Sequence, residues 1–94
     1  MIPIYKPYLK GNEKKYVNQC IDSTWISSKG PYINKFEEQI KAYTNAAYCT
    51  TTSSGTSALH LAMLALNIGK DDEVITTNFT YVASTNAILF VGAK

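Results

Sequence analysis

The stretch Thr51-Thr52-Ser53-Ser54-Gly55-Thr56-Ser57-Ala58-Leu59-His60 gathers the groups best suited to chemistry in this chain. An extended run ends there, the backbone turns at Gly55 and a helix begins. Small hydroxyl residues around a glycine let a ligand approach the main chain closely. The first N–H groups of the following helix have no helical acceptor and sit at the positive end of its dipole. Such a junction suits an anion, above all a phosphate. A second stretch, Asn78-Phe79-Thr80-Tyr81, follows the next extended run and offers two aromatic rings.

The elements that must position these groups follow from periodicity and punctuation. Pro3 and Pro7 exclude regular helix near the start, so residues 1–11 are predicted as an extended arm carrying Tyr5 and Tyr8. Asn12 as N-cap, Glu13 in the first turn and Val17, Cys20 and Ile21 at helical spacing predict a helix over 12–22. Ser23 to Pro31, with Trp25 among hydroxyl residues, reads as a loop. A second helix is predicted over 32–44, with Tyr32, Ile33, Phe36, Ile40 and Tyr43 on one side. The charges opposite, Glu37 and Glu38 included, form a solvated face rather than an acid-base pair.

Residues 46–52 and 73–77 are β-type runs, and the helix predicted over 56–67 between them is apolar almost all round. Strand, helix and strand with a crossover of that length predict a right-handed βαβ unit with parallel strands. A last helix is predicted over 81–91, capped by Thr80 and stopped at Gly92. The chain thus divides into an arm over 1–11, two helices and a loop over 12–45, and a βαβα unit over 46–94. His60 lacks a nearby nucleophile or carboxylate in sequence, and a hydrogen-bonded structural role is expected for it.

Composition narrows the classes. The chain has 94 residues, 46% of them hydrophobic, and a net charge of +2 with its lysines scattered. That pattern describes a globular chain without a nucleic-acid footprint. No signal peptide and no membrane span are expected. Cys20 and Cys49 have no metal-ligand spacing and are expected as reduced, buried thiols in a cytoplasmic protein, with no metal site.

In open parallel α/β sheets, ligands bind outside the carboxyl ends of the strands, and both candidate loops leave such an end. One offers main-chain donors for a phosphate and the other offers Phe79 and Tyr81 for stacking on a flat ring. That combination describes pyridoxal phosphate and equally a nucleotide. The lysine of G-x-x-x-x-G-K-[ST] and the glycine spacing of G-x-G-x-x-G are both missing.

The wider pattern is more specific. It comprises Tyr5-Lys6-Pro7, Thr24-Trp25-Ile26-Ser27-Ser28 with Gly30-Pro31, Phe36-Glu37-Glu38, and Ser54-Gly55-Thr56-Ser57-Ala58-Leu59-His60-Leu61-Ala62. Gly69-Lys70-Asp71-Asp72-Glu73-Val74, Phe79-Thr80-Tyr81-Val82-Ala83-Ser84 and Gly92-Ala93 complete it. In one register it resembles the DegT/DnrJ/EryC1/StrS aminotransferases, enzymes that use pyridoxal 5′-phosphate to aminate keto sugars, usually nucleotide-linked. The resemblance implies the N-terminal part of the large domain of a fold type I aminotransferase, a three-layer α/β/α body with a mostly parallel sheet, incomplete in this chain. It implies that Gly55, Thr56 and Ser57 hold the cofactor phosphate and that Tyr81 stacks on the pyridine ring. Trp25 and Ser27 match a segment near the sugar substrate. A nucleotide-linked keto deoxysugar, glutamate as amino donor and a homodimer are the implied partners, for surface polysaccharide or glycosylated products.

None of the lysines matches the family's Schiff-base lysine, and the family's two corresponding strands are not neighbours in its sheet. Transamination needs that amine to move protons, so this chain alone is expected to be inactive, as a fragment, a truncated frame or one part of a split protein. The rival readings are a stand-alone phosphate- or nucleotide-binding module and a non-catalytic partner or remnant of a full-length aminotransferase.

Overall fold

The computed structural model describes residue 2 and residues 5–94, so Pro3 of the predicted arm lies outside the described residues. It divides into two units, Met1–Cys49 and Thr50–Lys94.

In the first unit, residues 5–10 have neither helix nor strand, and Tyr5 and Tyr8 are exposed. Helix α1 spans Glu13–Asp22 and α2 spans Pro31–Thr44. Asn12 occupies the N-cap of α1 without a side-chain cap bond, which leaves the Glu13 carboxylate as the charge that meets the dipole. At the other end Ser23 donates through its hydroxyl to the Gln19 carbonyl at 2.6 Å, and Thr24 takes φ +63°. Left-handed backbone is unfavourable for a β-branched residue, so strain is stored one residue before Trp25.

Gly30 is extended at φ −165° and Pro31 opens α2, where its missing N–H costs nothing. Asn45, left-handed at φ 55°, closes that helix. The rings of Tyr16 and Tyr32 join α1 to α2, with centroids 5.3 Å apart. The Lys35 ammonium lies 5.6 and 5.7 Å from the two ring centres, and the Tyr32 hydroxyl donates to Gln19 Oε1. Desolvation raises the Tyr32 pKa above its ordinary value, with Cys20 and Tyr16 adding to the effect. Neither helix contributes a buried residue.

In the second unit, α3 spans Gly55–Ala65 and packs on α4, Ala83–Phe90. Their contact surrounds a small core of Ala83, Ala87, Ile88 and Ala93. Burying one isoleucine stabilises by roughly 1.5–3 kcal/mol. Three alanines add little to that, so the core is thin.

Both helices end the same way. After α3, Asn67 takes φ 57°, with Asn67 N–H donating to Leu64 O and Ile68 N–H to Met63 O, each at 3.0 Å. After α4, Gly92 takes φ +78°, with Gly92 N–H donating to Leu89 O at 3.0 Å and Ala93 N–H to Ile88 O at 3.2 Å. These are Schellman ends, in which a left-handed residue folds the chain back onto the last free carbonyls.

The sequence expectations differ from the structure at four places. First, no strand forms among the described residues, and 46–52 and 73–77 carry no ladder. A strand needs a hydrogen-bonded neighbour, and these two runs do not supply one to each other. The nearest approach is one rung: Val74 N–H donates to Lys94 O at 2.8 Å and Lys94 N–H to Asp72 O at 2.9 Å. That alternation is the pattern of parallel pairing, but a single rung leaves Ile75 wholly exposed.

Second, α4 begins at Ala83 with Val82 at its N-cap, because the Thr80 hydroxyl lies 3.4 Å from the Ser84 hydroxyl and makes no cap bond. Third, the His60 imidazole makes no hydrogen bond among the described residues. Its ring packs on Phe90, 5.6 Å between centroids and tilted by 60°, and so joins α3 to α4. Fourth, Cys20 and Cys49 are free thiols, half-buried rather than buried.

Candidate functional site

The turn before α3 is built by its own hydroxyls. Ser54, extended at φ −161°, is the N-cap, and its Oγ accepts the Ser57 N–H at 3.2 Å. The Ser54 and Ser57 hydroxyl oxygens are 3.1 Å apart, and the Thr52 hydroxyl donates to Ser54 O at 2.9 Å. The first helical bond runs from Ala58 N–H to Ser54 O at 3.0 Å. The main-chain N–H groups of Gly55 and Thr56 are left over, and among the described residues neither has an acceptor.

Across from this turn stands the start of α4. Ser54, Gly55, Thr56, Ala58 and Leu59 line one wall of a cleft of about 640 Å³, and Tyr81, Ala83 and Ser84 line the other. The packing of α3 on α4 therefore brings Gly55, Thr56 and Tyr81 to one cavity, while Ser57 lies outside its lining. Ser54 and Ser84 line it too, and neither is assigned from the sequence. Ser54 belongs to the turn read from the sequence but its capping bond does not, and Ser84 becomes visible only once α4 is docked.

The cleft fits a phosphate joined to a flat ring. A Cβ built on Gly55 meets no atom within 4 Å, so the space beside that backbone is open. Tyr81 is 79% exposed, leaving its ring available to a ligand rather than spent on the fold. Among the described residues, no group of three His, Cys, Asp or Glu side chains could hold a metal ion. No helix among them is long and apolar enough to cross a membrane.

In the first unit, Trp25 is half-exposed and lines a separate hollow of about 400 Å³ with Ser28, Lys29, Gly30, Pro31 and Asn34. Ser27 does not line it. Its hydroxyl instead pairs with the main chain of Lys29, donating to the carbonyl at 3.0 Å and accepting the N–H at 3.2 Å. Ser27 thus shapes the loop that presents Trp25.

Comparison with known proteins gives this arrangement a family. The model of the DegT/DnrJ/EryC1/StrS aminotransferase family matches residues 7–94, and the chain belongs to that family. It is 59% identical over 92 residues to the GDP-perosamine synthase of Escherichia coli O157:H7, and 56% identical over 93 residues to that of Vibrio cholerae. These alignments cover 98% and 99% of this chain and 25% of each relative. A Bacillus subtilis protein whose name describes a pyridoxal phosphate-dependent aminotransferase is 37% identical over 84 residues, 89% of this chain and 22% of its own length. The chain therefore spans about a quarter of the relatives it matches.

Proposed function

We propose that this chain is the cofactor-gripping part of a pyridoxal phosphate-dependent sugar aminotransferase, belonging to the large domain of the fold type I architecture. Gly55 and Thr56 would hold the cofactor phosphate through their main-chain N–H groups, and Tyr81 would lie against its ring. Ser57 would close the same turn. When bound, the cofactor supplies the carbonyl carbon and electron sink on which an amino group is transferred. This chain's own share is binding: it anchors the charged end, fixes the plane of the ring and keeps water from one side.

The substrate proposed is a GDP-linked keto sugar, since the relatives at 59% and 56% identity are both named GDP-perosamine synthases. Glutamate is the proposed amino donor. Trp25 offers a flat apolar face for the sugar, on a loop pinned by Ser27. A homodimer working in the cytoplasm completes the proposal. The exposed leucines of α3, Leu61 at 43% and Leu64 at 52%, suit a segment covered by other parts of a larger body.

One observation carries this reading: Gly55, Thr56 and Tyr81 line a single cleft. A chimera tests it, with this chain replacing the aligned quarter of the E. coli O157:H7 relative. The proposal expects it to bind pyridoxal phosphate and form GDP-perosamine from glutamate and the GDP-linked keto sugar. A folded chimera that binds no cofactor would refute it.

A further inference from the structure

Three main-chain N–H groups at the start of α3, those of Gly55, Thr56 and Ser57, have no acceptor within the helix, and any of them could meet an anion. The structure does not leave them equal. Ser54 Oγ takes the Ser57 N–H at 3.2 Å and lies 3.1 Å from Ser57 Oγ. Of the two serines, Ser54 lines the cleft and Ser57 does not. Two adjacent donors remain, on the wall opposite Tyr81 and beside the open space at Gly55.

We propose that Ser54 is a positioning residue that selects the phosphate-holding donors, withholding the Ser57 N–H so that the phosphate of the cofactor is received by Gly55 and Thr56 alone. The inference rests on the cofactor reading above and adds to it the division of labour within the turn. Its physical basis is competition. A serine hydroxyl held at the N-cap satisfies the third donor locally, which keeps the first helical turn closed and the other two N–H groups parallel. Without it, the third donor is free to draw the anion along the helix and away from the ring position set by Tyr81.

The test uses the isotopically labelled full chain and two probes, pyridoxamine 5′-phosphate and pyridoxamine, which differ only in the phosphate and cannot condense with lysines. In the wild type the phosphorylated probe is expected to shift the amide signals of Gly55 and Thr56 and to leave Ser57 in place. Ser54→Ala is expected to weaken that probe by about two- to thirty-fold, the fold-change that corresponds to losing a helix cap. It should leave pyridoxamine unaffected and make the Ser57 amide respond. Ser54→Thr, which keeps the accepting hydroxyl, should restore the wild-type pattern. A wild-type Ser57 amide that moves as far as that of Gly55 overturns the inference alone, and needs no variant to be seen. Equal weakening of both probes by Ser54→Ala also overturns it, by reducing Ser54 to a structural cap. If no amide of the turn responds in the wild type, the cofactor reading fails and this inference with it.

Discussion

Replacing Gly55 with alanine should push stability and cofactor binding in opposite directions. Gly55 is the first residue of α3 and is not among the residues with positive φ, so alanine adopts its backbone without strain. A Cβ there finds no atom within 4 Å, so nothing in the fold resists it. Gly→Ala at a compatible position stabilises by about 0.4–1 kcal/mol, chiefly by restricting the unfolded chain. The same methyl would stand in the cleft beside one of the two free N–H donors. Losing one hydrogen bond to a charged group costs roughly 1.5–3 kcal/mol, or about ten- to a hundred-fold in affinity. Urea unfolding followed by circular dichroism reads the first effect, and titration with pyridoxamine 5′-phosphate reads the second. Gly55→Ala binding the probe as tightly as wild type would refute the reasoning. So would a variant that is less stable, since the glycine would then serve the fold and not a ligand.

Tyr81→Ala should weaken the same probe by about two- to twelve-fold, the worth of one ring stack, while the urea midpoint barely moves because the ring is 79% exposed. Gly92→Ala should destabilise the chain by about 1–2 kcal/mol in urea, because φ +78° falls where a Cβ meets the following carbonyl. A neutral result there would mean that the Schellman end of α4 is not held. Thr24→Asn should stabilise by about 0.5–1 kcal/mol, since asparagine tolerates the left-handed φ of 63° that threonine does not. Its midpoint staying put or falling would remove the strain assigned to that turn.

The helices were legible in the sequence because their signals are local. Asn12 before Glu13, Pro31 after Gly30, the turn at Gly55 and Gly92 after Val91 mark ends that the structure reproduces to within about two residues. The strands were not realised, because β-type residues such as Val74 and Ile75 express a preference for pairing and cannot supply the neighbour. Asn45 and Asn67 as left-handed helix ends escaped notice, since asparagine signals turns as readily as caps. In the site, the turn at Ser54 to Ser57 could be read from residue types, but which of its donors stays free depends on a side-chain rotamer. Ser84 depends on how α4 docks against α3. His60 illustrates the same limit, because its partner Phe90 lies thirty positions away and only tertiary packing joins them.

The proposed function requires one ligand to be held at both walls of the α3–α4 cleft, and magnetisation transfer measures that directly. With pyridoxamine 5′-phosphate bound to the labelled chain, nuclear Overhauser effects are expected between the pyridine ring proton and the Tyr81 ring, in the same complex that shifts the Gly55 and Thr56 amides. Shifted amides with a Tyr81 ring silent toward the probe would contradict it, leaving a phosphate site with no grip on the ring.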